Sequence, residues 1–206
     1  MPGMKPLPLT DAITVMRSLP PKYAAIIAIG MTTGCRISEV LSLRRFDLID
    51  REGLLRDRIS FLLLKKRKKD KDTEKTVHRK LQIPPDFRPV ISAHLNNDAR
   101  KGYDRPDHYV FRGKNGRHLS RITVYHVFRK MLGEGYGTHW MRKTFAKLIF
   151  QFFLAANRED PMRALELTRR ALAHQRIDTT VRYLGITEDA IDNAQNNIFK
   201  ITERTT

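Results

Sequence analysis

Residues 171–183 read Ala171-Leu172-Ala173-His174-Gln175-Arg176-Ile177-Asp178-Thr179-Thr180-Val181-Arg182-Tyr183, which places a histidine and a tyrosine nine positions apart. Acidic and hydroxyl side chains are preferred at helix N-caps, so Asp178 or Thr179 is expected to cap the helix that bears Tyr183. The preceding helix is predicted to end just before His174. The sequence therefore places His174 in a loop that leads directly into the tyrosine-bearing helix.

Two earlier stretches carry residue types that complete a pattern with this one. They are Thr33-Gly34-Cys35-Arg36-Ile37-Ser38-Glu39-Val40-Leu41-Ser42-Leu43 and Thr138-His139-Trp140-Met141-Arg142-Lys143-Thr144-Phe145. Among their residues, the three stretches supply the two arginines Arg36 and Arg142, two histidines and a tyrosine. This is the set of side chains needed for phosphodiester chemistry through a tyrosyl intermediate.

The composition indicates a single basic domain. The chain has 206 residues, with 39 Lys plus Arg against 22 Asp plus Glu, a net charge of +17 and a sequence pI near 10.4. A domain of this length buries roughly 70% of its unfolded surface. The excess of positive charge favours a polyanionic partner, and nucleic acid comes first. Aromatic residues make up only 8%, which favours a phosphate-reading surface over a stacking platform for single strands.

Cysteine content and hydropathy exclude several other classes of protein. Cys35 is the only cysteine, so neither an intramolecular disulfide nor a multi-cysteine zinc site is expected. The longest apolar runs are much shorter than the ~20 residues that span a bilayer, and residues 1–9 do not resemble a signal peptide. We therefore expect no membrane partner and a cytoplasmic protein, associated with the nucleoid if its origin is bacterial, viral or plasmid.

The remaining pattern predicts a mostly α fold with a small antiparallel sheet, an α+β class. Helices are predicted by apolar periodicity and caps, with Thr10, Ser120, Asp160 and Thr187 as N-caps and Gly34 as a C-cap. Their predicted bounds are about 11–19, 22–33, 86–100, 121–132, 139–154, 161–172 and 188–199. Another helix is predicted to start near Arg36 or Ile37, and the helix that bears Tyr183 starts after its cap, Asp178 or Thr179. Strands are predicted over 47–50, 58–64 and 77–83, with a short extended piece at 109–111. The lysine-rich segment 65–75 is interpreted as a hairpin tip, either solvated or reaching DNA.

The two arginine stretches fit an anion site. Arg36 follows a glycine turn at a helix start, where free backbone N–H groups favour anions, and its planar fork fits two phosphate oxygens. Glu39 lies on the same face and is placed to hold a neighbouring cation or histidine. His139 and Arg142 are spaced i, i+3, so they share a helix face. Arg142 supplies a second fork, and His139 supplies a group that moves protons near neutral pH.

Tyr183 needs help to act as a nucleophile, because a tyrosine hydroxyl has an ordinary pKa near ~10. Two arginines and the histidines can hold the negative charge of a pentacoordinate phosphorane without a metal. A lysine with a lowered pKa can give the leaving hydroxyl its proton. Aspartate clusters for two Mg²⁺ ions are not evident, which argues against a two-metal nuclease. No metal and no cofactor are expected.

In order and in local spacing, the sequence resembles the catalytic domain of the tyrosine recombinases of the phage integrase family, over about residues 10–200. The family pattern is Gly-x-Arg-x-x-Glu, a hairpin lysine, His-x-x-Arg, Leu-Gly-His and a tyrosine nine residues on. The matching residues are Gly34, Arg36, Glu39, His139, Arg142, Leu172-Ala173-His174 and Tyr183. The resemblance implies site-specific recombination, with 3′-phosphotyrosyl cleavage, a free 5′-hydroxyl and strand exchange through a Holliday junction. It also implies a homo-tetramer on paired sites in double-stranded DNA. Free protomers are expected to be monomeric, because assembly needs DNA to gather the subunits.

The hairpin lysine is the least determined position of the pattern. With Ile59, Phe61 and Leu63 as the inward residues of a strand, Lys65 falls at the expected place. A register slip of one residue selects Lys66 instead, and Lys68 stays open. The DNA-contacting residues expected from this segment and from the second arginine stretch are Lys65, Lys66, Arg67, Lys68, Lys69 and Lys143.

Three features depart from the family pattern. Ala173 stands where the family has glycine, and the interval between Arg142 and His174 is longer than usual. Only about nine residues precede the first helix, so a single catalytic domain over 1–206 is expected, with a core at about 10–185 and a helical tail at 186–206. An N-terminal core-binding domain is not expected, which leaves room for an accessory DNA-binding protein.

Two other functions stay open at this point. One is a catalytically silent DNA-binding regulator of the same fold, and the other is an enzyme similar to type IB topoisomerases. The presence of every expected catalytic residue type favours the enzyme over the regulator. The spacing from His174 to Tyr183 fits recombinases better than topoisomerases. The target site, and the choice among integration, excision, inversion and dimer resolution, do not follow from the sequence.

Overall fold

A computed structural model describes residues 5–62, 78–157 and 160–186. The chain divides into two compact units, residues 1–145 and residues 146–206. The described helices and strands, in chain order, are α1 (Leu9–Ser18), α2 (Pro21–Thr33), α3 (Ile37–Leu41), α4 (Arg45–Leu48), β1 (Arg58–Leu62), β2 (His78–Gln82), α5 (Arg88–Ala99), α6 (Arg121–Leu132), α7 (Trp140–Ala156), α8 (Pro161–Ala171) and α9 (Ile177–Leu184). Two 3₁₀ turns cover Pro85–Phe87 and Lys114–Gly116. The predicted class, mostly α with a small antiparallel sheet, is confirmed.

Helix α2 is the centre of the first unit. Its residues 24–31 are all buried, and it packs mainly against α5 and α1. Proline at its first position suits a helix start, because the missing N–H has no partner there in any case. The helix ends at Gly34, which has the left-handed conformation (φ 63°, ψ 15°) that the sequence predicted for a glycine C-cap.

The sheet consists of β1 and β2, paired antiparallel from Arg58 opposite Gln82 to Leu62 opposite His78. Ile59 and Phe61 point inward and are fully buried. The predicted strands at 58–64 and 77–83 are confirmed within the described residues. The hairpin tip at 65–75, the helix at 188–199 and its Thr187 cap lie outside them.

Three local predictions were wrong. Thr10 does not cap α1, since the helix already includes Leu9 and has Pro8 at its N-cap. Asp178 and Thr179 lie inside α9, whose N-cap is Arg176. The strand predicted at 47–50 is a helical turn up to Leu48. Its Asp47 carboxylate accepts a hydrogen bond from the Arg44 N–H at 2.8 Å, and Ile49 alone forms a β-bridge, with Leu55.

The predicted caps of α6 and α8 are confirmed. The hydroxyl of Ser120 accepts a hydrogen bond from the Ile122 N–H. The Asp160 carboxylate accepts hydrogen bonds from the N–H groups of Met162 and Arg163 at 3.0 and 3.1 Å. Both caps satisfy backbone donors that have no partner inside the helix.

Candidate active site

The first arginine motif is built where α2 turns into α3. Gly34 has a positive φ, and a Cβ at this position would lie 2.3 Å from a ring carbon of Phe145. Glycine is therefore required both by the backbone conformation and by the ring that packs against it. The turn places Arg36 at the N-cap of α3.

Glu39 fixes Arg36 through two hydrogen bonds. Its carboxylate accepts from the Arg36 backbone N–H at 2.8 Å and from the Arg36 Nη1 at 3.1 Å. Glu39 is 1% exposed and the Arg36 side chain is 22% exposed. The carboxylate is thus a buried support, while the guanidinium keeps an accessible part that can meet a ligand. The expectation that Glu39 holds a neighbouring cation is met by Arg36.

Arg142 joins the second arginine motif to the first. Its guanidinium donates a hydrogen bond to the carbonyl oxygen of Gly34, 108 residues away in sequence, and the residue is buried. His139 precedes α7 and is half-buried, and its carbonyl oxygen accepts from the N–H of Lys143 at 3.1 Å. Folding therefore brings the Arg36 and Arg142 motifs to one place in the first unit.

Cys35 lies inside this cluster and is buried. Burial raises the pKa of its thiol to about 12, although a hydrogen bond with Thr33 and the charges of Arg79 and Arg142 oppose the rise. A thiol with this pKa stays protonated near neutral pH and is a poor nucleophile. The same interactions place Arg79 near the cluster, a residue that the sequence did not suggest.

In the second unit, His174 is the last residue of a Schellman motif that ends α8. The N–H of Ala173 donates to the Arg170 carbonyl, and the N–H of His174 donates to the Arg169 carbonyl, both at 3.0 Å. Ala173 has the left-handed φ of 52° that this motif requires. The position where the family has glycine is therefore one where glycine is conformationally favoured.

The imidazole of His174 is fixed by the first two turns of α9 and contacts Tyr183. Its Nδ1 lies 3.0 Å from the hydroxyl oxygen of Thr180, and both residues are buried. Its ring packs edge-to-face on the Tyr183 ring, with centroids 5.4 Å apart and planes at 73°. The histidine and tyrosine that stand nine positions apart in the sequence are in contact in the second unit.

Tyr183 is the second-last residue of α9 and is half-buried. The helix ends in another Schellman motif, in which the N–H groups of Gly185 and Ile186 donate to the carbonyls of Arg182 and Val181 at 3.2 Å. Gly185 has a φ of 75°. The tyrosine is thus held in a helical turn that is capped immediately behind it.

A charged network on α8 supports the backbone of His174, and the sequence did not predict it. The Glu166 carboxylate accepts two hydrogen bonds from Arg169, each 2.7 Å long, and one from Arg170 at 2.8 Å. Hydrogen bonds from Arg169 and then from Arg170 lower the pKa of Glu166 to about 2. Arg169 also donates from Nη1 to the carbonyl oxygen of His174 at 2.8 Å. The i, i+3 spacing of Glu166 and Arg169 is the one sequence signal for the pair.

The other predicted site residues, Lys65, Lys66, Arg67, Lys68 and Lys69, lie outside the described residues. Within residues 5–62, 78–157 and 160–186, no group of three or more His, Cys, Asp or Glu side chains is arranged to hold a metal ion. Of the helices in the same ranges, none combines the length and the apolar character needed to cross a membrane.

The comparison with solved structures identifies the fold. The XerA recombinase superposes with a TM-score of 0.64 at 17% identity, over 96% of this chain and 66% of that one. XerH site-specific recombinase, bound to a palindromic difH substrate after cleavage, superposes with a TM-score of 0.60 at 19% identity. The match covers 93% of this chain and 52% of the XerH chain. The Tn1549 transposon integrase (R225K), in complex with a circular intermediate DNA, superposes with a TM-score of 0.61 at 20% identity. The match covers 96% of this chain and 67% of the integrase chain. This chain therefore has the fold of recombinase chains and spans only 66% and 52% of the XerA and XerH chains.

The sequence comparison identifies the family. A search of curated proteins found no match. The model of the phage integrase family matches residues 9–189, which include every described residue of the three motifs and all of α1 to α9. Since this match covers well over half of the sequence, the chain belongs to the phage integrase family.

Proposed function

We propose that this chain is a tyrosine site-specific recombinase that cleaves and rejoins double-stranded DNA through a 3′-phosphotyrosyl intermediate on Tyr183. The observation that carries the proposal is the hydrogen bond from the Arg142 guanidinium to the Gly34 carbonyl. It joins the turn that carries Arg36 to the helix that carries Arg142, so the two arginine motifs can act on one anionic ligand. XerH with its difH substrate and the Tn1549 integrase with its DNA support the choice of DNA as that ligand.

Cleavage exchanges one phosphoester bond for another. The Tyr183 oxygen attacks the scissile phosphorus and passes its proton to His139 or His174 as the base, the bond from phosphorus to the 5′-oxygen breaks, and the 5′-oxygen takes up a proton from a general acid. Arg36 and Arg142 stabilise the negative charge that grows on the non-bridging oxygens, with His139 and His174 as further donors or proton carriers. The reverse reaction, with the 5′-hydroxyl of another strand, rejoins the DNA and frees Tyr183.

The leaving 5′-oxygen needs a proton donor, and we assign this role to Lys65, with Lys66 as the alternative. Lys65 to Lys69, together with Lys143, supply positive charge toward the DNA backbone. Guanidinium groups take the charge-stabilising place that metal ions fill in two-metal nucleases. We therefore propose that cleavage is metal-independent. A leaving 5′-sulfur needs no proton. A substrate with a 5′-bridging sulfur should therefore restore cleavage to the variant that lacks the proton-donating lysine.

The proposed assembly is a homo-tetramer on paired DNA sites, formed from free monomers. The net charge of +17 supports DNA as the partner. We propose that residues 1–206 act as one catalytic domain, in which 186–206 form a tail, and that an accessory DNA-binding protein assists site choice.

Trapping of a covalent adduct tests the proposal. The purified protein is mixed, in buffer with EDTA, with nicked duplexes made from DNA that flanks its own gene. The wild-type protein and Tyr125→Phe, a control on α6, should form a protein–DNA adduct, and Tyr183→Phe should form none while it still binds DNA. Binding without any adduct would identify a regulator. Adducts that form on unpaired sites of any sequence, with relaxation of supercoils, would identify a topoisomerase.

A further inference from the structure

Arg79 lies on the inward face of the two-stranded sheet. It stands directly opposite Phe61, and side chains that face each other in an antiparallel pair share one face. Phe61 is fully buried, and its strand β1 packs against α3. Along β2 exposed and half-buried residues alternate, with Arg79 and Leu81 half-buried. Arg79 therefore points from the sheet toward the side where α3 carries Glu39.

The guanidinium of Arg79 has no partner in the described part of the chain. No hydrogen bond or salt bridge joins it to any residue in 5–62, 78–157 or 160–186. Removing a guanidinium from water without a counter-charge is unfavourable, and buried arginines are normally paired. Because no described residue forms a hydrogen bond or ion pair with it, Arg79 is placed to meet an anion from outside the described part of the chain.

The surroundings of Arg79 identify where that anion would lie. Burial lowers the pKa of Arg79, whereas the Cys35 thiol and the Glu39 carboxylate raise it. Arg142 acts on the same Cys35 thiol. Glu39 is hydrogen-bonded to Arg36, and among the described residues it makes no hydrogen bond or ion pair with Arg79. Arg79 thus adds positive charge beside the two arginine motifs, with no described carboxylate in hydrogen-bonding contact.

We propose that Arg79 is a third phosphate-binding arginine, which contacts a non-bridging oxygen of the scissile phosphate together with Arg36 and Arg142. This inference rests on the proposed function. Its chemistry is that of the other two arginines, since it adds fixed positive charge where the transition state gains negative charge. It makes Arg79, on β2, part of the site although no motif in the sequence marks it.

The test compares cleavage of a normal phosphodiester with cleavage of a methylphosphonate at the scissile position. Loss of one charge-stabilising donor slows cleavage by about 10²–10³, and we expect Arg79→Ala to show this loss on the phosphodiester. The methylphosphonate lacks one of the negative oxygens, so the defect should shrink to about threefold or less, on the scale of one weakened hydrogen bond. Arg79→Lys, which keeps the charge, should retain more activity than Arg79→Ala on the phosphodiester.

Lys80→Ala is the matched control, because Lys80 is the next residue of β2, is exposed and points to the other face. It removes the same unit of charge and should cleave like the wild-type protein. Circular dichroism and thermal melting show whether Arg79→Ala is folded, and Arg79→Gln replaces it if it is not. A similar defect on both substrates, or a rescue only by a methylphosphonate at a flanking position, would overturn the inference.

The outcomes separate this inference from the proposed function. If the wild-type protein forms no adduct on the phosphodiester, the proposed function fails and the inference fails with it. If the wild-type protein and Arg79→Ala cleave the phosphodiester at rates within threefold of each other, the inference alone is wrong, and Tyr183, Arg36 and Arg142 keep their proposed roles.

Discussion

Arg169 holds the backbone of His174 from two sides. Its carbonyl oxygen accepts the His174 N–H at 3.0 Å, and its Nη1 donates to the His174 carbonyl oxygen at 2.8 Å. Glu166 fixes the guanidinium through two hydrogen bonds of 2.7 Å. Because the imidazole contacts Tyr183, this clamp positions the side chains of both His174 and Tyr183.

Removal of this clamp should slow catalysis while DNA binding persists. Arg169→Ala frees the carbonyl of His174, and misplacement of a catalytic group by about 1 Å costs about 10²-fold in rate. We expect adduct formation to slow by about 10- to 10²-fold in single-turnover assays. Arg170→Ala is the control, since Arg170 also pairs with Glu166 and its loss changes the net charge equally. Equal defects in both variants would show that the rate depends on the ion pairs of Glu166 with the two arginines, and not on the contact between Arg169 and His174.

Thr180 should orient the imidazole of His174. Thr180→Val keeps the shape of the side chain and removes the hydroxyl that lies 3.0 Å from Nδ1. One hydrogen bond of ~1.4 kcal/mol corresponds to a rate factor of about ten, so we expect a slowing of about tenfold and a shifted pH–rate profile. Thr179→Val, at an exposed neighbouring position, should leave both unchanged. An unchanged pH–rate profile for Thr180→Val would contradict the role.

Ala173 and Gly185 occupy the same position in two Schellman motifs. Exchanging alanine and glycine at these positions should therefore change the free energy of unfolding in opposite directions. A non-glycine residue in the left-handed region costs roughly 1–2 kcal/mol. We therefore expect Ala173→Gly to raise the free energy of unfolding by about 1 kcal/mol and Gly185→Ala to lower it by about as much. A Cβ at Gly185 meets nothing within 4 Å, so only the backbone contributes. Urea unfolding measures both, and a destabilised Ala173→Gly would refute the argument.

Gly34→Ala should be much more damaging than a comparable change elsewhere. The added methyl would lie 2.3 Å from a Phe145 ring carbon, and overpacking costs ~1–3 kcal/mol beyond the ~1–2 kcal/mol of the positive φ. Gly102→Ala is the control, since Gly102 has a φ of 75° and nothing within 4 Å. Thermal melting should separate the two by several degrees. Reduction of the clash by Phe145→Leu should restore part of the loss in Gly34→Ala.

Stability should fall as the pH drops below neutral because of His94. This residue is fully buried, donates a hydrogen bond from Nε2 to the Val110 carbonyl oxygen at 2.8 Å and stacks on Phe111. Burial lowers its pKa from 6.5, against the opposing effects of the Val110 hydrogen bond and Asp98, while Lys22 and Arg45 lower it further.

The sign of this pH effect follows from proton uptake. In the unfolded chain His94 takes up a proton as the pH falls through ~6.5, and in the folded protein it does so only at lower pH. The unfolded state then binds more protons, so the free energy of unfolding decreases from about pH 7 to pH 5. His94→Gln does not titrate and should show a smaller decrease in urea unfolding over this range. The same slope in both proteins would rule out His94 as the cause.

Features set by neighbouring residues were predictable, and those set by long-range contacts were not. Ser120 and Asp160 cap their helices through N–H groups two or three residues away, so their sequence signals are sufficient. Thr10 fails as a cap because Pro8 takes that place. The position of Arg79 depends on its pairing with Phe61 across the sheet. This pairing could not be predicted, because the register between two strands depends on both strands together.

The candidate site shows the same division. The motifs around Arg36, Arg142 and His174 are visible as residue types at fixed spacings. The contact between His174 and Tyr183 follows from one short connection between two helices. Nothing in the sequence indicates that Arg169 reaches past a helix end to the His174 carbonyl, because that contact exists only after the Schellman motif has turned the chain back.

Cys35 is a natural probe for opening of the arginine cluster formed by the Arg36 and Arg142 motifs. It is the only cysteine of the chain, it is buried beside the Arg36 motif, and its thiol has a pKa of about 12. Alkylating reagents and peroxides react with exposed thiolate, so they reach this sulfur only when the turn between α2 and α3 opens. The rate at which a thiol reagent labels the native protein therefore reports the opening frequency of the cluster, and a DNA strand held by the arginines should slow that labelling.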